Sequence, residues 1–358
     1  MKLPCITMLA TLLLTVPAAA QLQITPPATV PSAVPEKQKP KPPAPAKKKE
    51  AAPKPSASPK PAPSSKPTPT PTVIPAPPTD NSNADLVYGA YQRGQYKTAF
   101  ELATARAQAG DPKAMTMLGE LYSNAMGIRR DYAKAAEWYK RAADAGDREA
   151  MFALAMLRIS GRGGPVDKSE AVKLMASAAK LGEPKAAYNL ALLYLDGQTL
   201  PQDVKRSAEL LRQAADAGLA EAQYALATFY KEGTGVPKDP ERAVRLLQAA
   251  SLADNVDAEV EYAIAMFNGT GTPKNQPAAV ALLRKASRQG SAIAQNRLAW
   301  VLINGVGTTM DKVEGFKWHL VAKTAGKGDP ELDKQLSDLP AEDRAKAEAA
   351  AKKWLGNK

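Results

Sequence analysis

A unit of 36 residues recurs six times without insertion or deletion, beginning at Gly110, Gly146, Gly182, Gly218, Asp254 and Gly290. Four residues into each copy stands an alanine (Ala114, Ala150, Ala186, Ala222, Ala258, Ala294). Thirty-two residues in stands another (Ala142, Ala178, Ala214, Ala250, Ala286, Ala322). A period of roughly 20–50 residues signals stacked supersecondary units, none of which buries its apolar face alone. Such a chain is expected to be a solenoid whose function lies on an extended surface.

Each copy reads as one helical hairpin. In its first half, small and apolar residues recur at helical spacing, as in Ala186, Leu190, Ala191 and Tyr194, or Ala222, Leu226, Ala227 and Tyr230. Glycine pairs follow at Gly161/Gly163, Gly233/Gly235, Gly269/Gly271 and Gly305/Gly307, where glycine can adopt the left-handed angles that end a helix and turn the chain. Next comes Asp131, Asp167, Asp203, Asp239, Asn275 or Asp311, a side-chain oxygen placed to cap a second helix, with Pro240 suited to its first turn. Second helices carry Ala135, Trp138, Tyr139 and Ala142, or Ala243, Leu246, Leu247 and Ala250. Alanines at the recurring sites let two backbones approach, and the larger residues fill the space between them.

Residues 220–250, AEAQYALATFYKEGTGVPKDPERAVRLLQAA, resemble the Sel-1-like repeats, a branch of the TPR-related helical repeats. The resemblance covers about residues 84–330 and implies an all-α fold, a right-handed α-solenoid of stacked antiparallel helix hairpins used for protein contacts. It further implies a place in bacterial envelope or signalling complexes. Copies depart from the pattern at Ala125 and Gln198–Thr199, which replace loop glycines. In the fifth copy, Val260, Tyr262 and Met266 stand where others have an aromatic, Leu and Tyr. These departures keep the helical phase and bear on loop shape.

The expected organisation is a signal peptide over 1–20, a disordered Pro/Lys/Ala-rich linker over 21–83, a capping hairpin over 84–109, six repeats over 110–325 and a helical cap over 326–358. Lys2, the apolar run Ile6–Val16 and the Ala18-Ala19-Ala20 site have the three parts of a secretory leader, so export to a bacterial periplasm or beyond the cell is expected. The linker holds 19 prolines and 9 lysines against Glu36, Glu50 and Asp80, a composition that cannot bury a core. Upstream of the repeats, Leu86–Gly110 reads as a hairpin turning at Gly94. Downstream, a unit starting at Gly326 breaks down into a charged, alanine-rich helix beginning near Pro340 and carrying Trp354.

Composition excludes several function classes. Cys5 is the only cysteine and lies within the leader, so disulfides, thiolate catalysis and cysteine metal sites are not expected in the exported chain. His319 is the only histidine, which rules out a two-histidine metal site within one chain, and its register is core-facing. Ser177 and Lys180 fit an S-x-x-K spacing without the companion motifs of penicillin-binding serine enzymes. The G-x-G pairs follow helices where a nucleotide fingerprint needs a strand. Asn268-Gly-Thr270 is a glycosylation sequon that matters only in a eukaryotic host. Removing the leader's single charge and the linker's six from the total of +12 leaves +5 on the repeats. With no basic-aromatic stripe, nucleic acid is not expected as a partner. No cofactor, metal or small-molecule substrate is expected.

One pattern exceeds what the hairpin needs. A second apolar stripe runs along the first helices through Phe152, Met156 and Ile159; Tyr188, Leu192 and Leu195; Tyr224; Ile264 and Phe267; and Trp300 and Ile303. Its centre lies roughly 140° from the face that meets the second helix. Two readings stand: packing between adjacent repeats, or a groove for an extended peptide or partner helix lined by Phe152, Met156, Tyr188, Leu192, Tyr224, Ile264, Phe267 and Trp300. The functional expectation is a non-enzymatic scaffold or adaptor for protein partners in the cell envelope. The alternative is a cell-wall module whose basic linker contacts anionic polymer, and a hydrolase is the third reading.

Overall fold

The computed structural model describes residues 82–356. The expected leader and nearly all of the expected linker lie outside the described residues, which form sixteen α-helices. α1 (Ser82–Gln92) and α2 (Tyr96–Gln108) make an opening hairpin that turns at Gly94, whose φ is 72°. Six hairpins follow. Their first helices are α3 (Pro112–Asn124), α5 (Arg148–Ser160), α7 (Pro184–Asp196), α9 (Ala220–Glu232), α11 (Val256–Asn268) and α13 (Ala292–Asn304). Their second helices are α4 (Tyr132–Asp144), α6 (Lys168–Lys180), α8 (Val204–Asp216), α10 (Pro240–Leu252), α12 (Gln276–Arg288) and α14 (Lys312–Thr324). All twelve are 13 residues long. Each second helix packs on its own first helix, and the first five also pack on the first helix of the next copy, which makes the array an α-solenoid.

Local chemistry sets these boundaries. Asp131, Asp167, Asp203, Asp239, Asn275 and Asp311 each accept the backbone N–H three residues on, at 2.8–3.1 Å, so one free donor of every second helix is satisfied. First helices end on Gly161, Gly197, Gly233, Gly269 and Gly305 in the left-handed region. Ala125 takes the same conformation, with φ 58°, in spite of its Cβ. The loops of the two aberrant copies therefore close as the others do. The amides of Asp131 and Asp203 donate to Tyr122 and Tyr194 carbonyls at 3.1 and 3.0 Å, as Asp239 does to Tyr230 at 2.8 Å.

The second loop glycine has a different role. A Cβ on Gly235 would stand 2.6 Å from the Val204 carbonyl oxygen, because each loop is seated on the start of the preceding copy's second helix. Small residues also mark the helix crossings. Ala135, Ala171, Ser207, Ala243 and Ala279 share one register and are buried. Gly315 takes their place in the sixth copy, where a Cβ would meet Ile303 Cγ1 at 2.6 Å. Side-chain volume at these crossings would force the axes apart.

At the far end, α15 (Pro330–Ser337) is short and α16 (Ala341–Gly356) packs on α14. Ala347 and Ala351 are buried there, and Trp354 meets Trp318 edge to face with centroids 5.0 Å apart. His319 is fully buried, as its register implies. It does more than pack, since its Nε2 lies 2.8 Å from Asp333 Oδ1 on α15.

Candidate functional site: the first-helix face

The eight residues of the second stripe lie along the first helices at three successive turns: Phe152, Tyr188 and Tyr224 at one, Met156, Leu192, Ile264 and Trp300 at the next, and Phe267 at a third. All eight are partly exposed: Phe152 and Met156 on α5, Tyr188 and Leu192 on α7, Tyr224 on α9, Ile264 and Phe267 on α11, and Trp300 on α13. Phe152, Met156, Tyr188 and Tyr224 rest their inner edges on one buried cluster, and Ile264, Phe267 and Trp300 rest on the next. Packing and exposure thus coexist in the same side chains. Ile303, in the same stripe, differs in being buried against Gly315 of α14.

True recesses lie nearer the opening hairpin. One of 350 Å³ is bounded by Val87, Tyr88, Arg106, Lys113 and Met117, and a neighbouring one of 490 Å³ by Tyr139, Arg148, Phe152, Glu183 and Lys185. They share Thr116, Glu120 and Glu149. Of the stripe residues, Phe152 lines the second of them. The apolar stripe does not reach this end, because the first copy carries polar Thr116 and Glu120 where most later copies place apolar groups.

Charged bridges run from copy to copy beside these recesses. Asp147 caps α5, accepting from the Ala150 amide at 2.8 Å, and pairs with Lys113 Nζ at 2.9 Å. Burial opposes the Lys113 charge, yet bonds to Asp147 and Glu149 outweigh it and raise the ammonium pKa. Glu183 caps α7 in the same way, and Arg148 donates to the Leu181 carbonyl at 3.2 Å. Farther along, Glu259 is completely buried and is met by Lys285 Nζ at 2.6 Å.

Around Tyr224 the balance turns acidic. Burial, then the charges of Glu261, Asp257 and Glu232, push its phenol well above the usual range. Tyr188 is raised by burial and by Glu221. Lys231 Nζ pairs with Glu261 at 3.1 Å, whereas Glu221, Glu232 and Asp257 make no ion pair among the described residues. On the same helix Tyr230 behaves oppositely. Burial raises it, but hydrogen bonds from Arg242 and Arg212 outweigh that and the net shift is downward.

Ser177 is exposed near the end of α6, and His319 is sealed in the core. Among the described residues no group of three His, Cys, Asp or Glu side chains is arranged to hold a metal ion, and no helix is long and apolar enough to cross a membrane. The arrangement offers an extended surface of aromatic, aliphatic and acidic groups.

Comparison with curated proteins finds no match. Among solved structures, the chain is similar to a Sel1 repeat protein from Oxalobacter formigenes, with 25% identity and a TM-score of 0.57, covering 67% of this chain and 96% of that one. It is also similar in fold to c5321, a protective antigen present in uropathogenic Escherichia coli strains displaying an SLR fold, with 23% identity and a TM-score of 0.52 over 77% of this chain and 68% of that one. The Sel1 repeat profile matches residues 112–147, 148–183, 184–219, 220–255, 256–291 and 292–327, each frame opening on the first residue of a first helix. With six matched units spanning more than half its length, the chain belongs to the Sel1 repeat family, a family of scaffolds that mediate protein–protein contacts.

Proposed function

We propose that this chain is an exported, non-enzymatic adaptor of the bacterial cell envelope that holds a protein partner on its first-helix face and so regulates a signalling or assembly complex. The observation that carries the reading is the partly exposed stripe of apolar residues found along α5, α7, α9, α11 and α13, at one turn in Phe152, Tyr188 and Tyr224 and at the next in Met156, Leu192, Ile264 and Trp300. A helix face that only packed between repeats would be sealed, as Ile303 is. Support for the envelope comes from the leader-like residues 1–20, from the tether-like composition of residues 21–83 and from the bacterial sources of the similar structures.

The test is affinity capture of the full chain from envelope fractions of its host, against a Tyr188→Ser, Tyr224→Ser variant whose helical signal and melting are first matched to the parent. Loss of one stoichiometric partner in the variant is expected; equal recovery would reject the face as the binding element. The excess of 9 lysines over three carboxylates in residues 21–83 favours a second reading, in which this segment binds anionic cell wall. That reading requires salt-sensitive cosedimentation with isolated cell wall, lost when residues 21–83 are removed.

A further inference from the structure

The strip from Tyr188 to Phe267 has both a spacing and a charge. Tyr188 and Tyr224 stand at the same turn of consecutive first helices, one repeat apart. The second helix α8 packs on both α7 and α9, so the two rings repeat along the stack. An extended polyproline-type chain turns once every three residues and so presents the same face at every third position to such a repeated row. Aromatic side chains spaced like this suit proline and aliphatic groups, which meet a ring face without losing a hydrogen bond.

Between the rings the groups are carboxylates. Glu221 stands exposed one turn before Tyr224, Glu232 ends the same helix, and Asp257 lies on α11. None of the three makes an ion pair among the described residues, and only Glu261 is answered by a lysine, Lys231. We infer that this strip takes an extended partner segment in which proline or aliphatic residues recur every third position with lysine or arginine between them. The inference rests on the protein-holding reading above and specifies the partner's chemistry. The cations of the ligand would answer Glu221, Glu232 and Asp257, and their attraction would raise both the rate of encounter and the affinity, each falling as salt rises.

The probe is a synthetic fluorescein-labelled peptide repeating Pro-Pro-Lys, with a Pro-Pro-Glu counterpart, titrated into the full chain by fluorescence anisotropy. The lysine peptide is expected to bind, more weakly as salt rises, and the glutamate peptide is not. A Glu221→Lys, Asp257→Lys variant is expected to lose about tenfold or more in affinity. Glu241→Lys, on the exposed side of α10, is expected to change nothing. Absent binding of the lysine peptide, equal binding of both peptides, or unchanged affinity in the charge-reversed variant would each overturn the inference. Capture of the native partner separates its failure from that of the broader reading. A partner lost with Tyr188→Ser, Tyr224→Ser but kept by the charge-reversed variant overturns the basic-segment inference alone. A partner kept by both variants overturns the reading beneath it.

Discussion

His319 Nε2 lies 2.8 Å from Asp333 Oδ1, and Lys323 Nζ reaches the same oxygen at 2.8 Å, so two residues of the last repeat hold the first turn of the helix that follows it. The hydrogen bond from Lys323, followed by that from His319, holds the Asp333 carboxyl below its ordinary value. The folded state therefore binds fewer protons here than the unfolded chain. The resulting stability is complete above the ordinary carboxylate pKa, about 4, and is lost as pH falls through the folded value. Acidification below about pH 4 is expected to release α15 before the repeats open, and Asp333→Asn should remove that acid limb. Amide exchange resolved along α15 and α16 at stepped pH measures both.

The two classes of glycine predict different costs. Gly218 has a φ of 86° with nothing within 4 Å of an added Cβ, so Gly218→Ala should cost about 1–2 kcal/mol, the left-handed penalty alone. Gly235 adds a collision with the Val204 carbonyl to the same penalty, and Gly235→Ala should cost about 3 kcal/mol or more. Urea unfolding of the two variants separates them; equal losses would mean that the loop is not seated on the preceding helix.

Two positions depart from what their neighbours show is optimal. Ala125 holds a φ of 58° where the other copies have glycine, so Ala125→Gly should stabilise by about 1 kcal/mol. Ser207 is fully buried, and its hydroxyl has no hydrogen-bond partner among the described residues. Ser207→Ala removes that uncompensated hydroxyl and should add about 1 kcal/mol. Thermal melts of the single and double variants should show additive gains, because the sites share no contact.

Tyr224 and Tyr230 lie on one helix and titrate in opposite directions. Burial and three carboxylates raise the first, while two arginines outweigh burial and lower the second. In a residue-resolved titration of ring signals, Tyr230 should ionise below the ordinary value of 10.0 and Tyr224 well above it. Glu261→Gln should move Tyr224 downward and leave Tyr230 in place.

The hairpins were legible in sequence because their determinants act locally. An aspartate reaches an amide three residues away, and a glycine supplies its own backbone angle, so Asp131 or Gly233 declares its role within one turn. The stripe was legible too, but its two readings did not exclude each other, since Tyr188 and Tyr224 pack on one edge and meet solvent on the other. Bridges between copies were not legible. Lys113 and Asp147 meet across a whole repeat, and no local pattern ties a lysine to a carboxylate that far along the chain. The recesses were not legible, because their walls come from residues of three successive hairpins, such as Val87, Lys113 and Glu149, that no local pattern groups together. The register of His319 declares a core position, but its partner, 14 residues on, stands outside the 36-residue frame.

Uniform helices of 13 residues, set in a constant frame of 36, make the stack a ruler. Duplicating or excising one whole unit would change its length by a fixed increment and keep every remaining contact site in phase, whereas an insertion of any other size would break the graduation. Evolution of such a chain proceeds in quanta, and the span of what it can hold is written in the number of its marks.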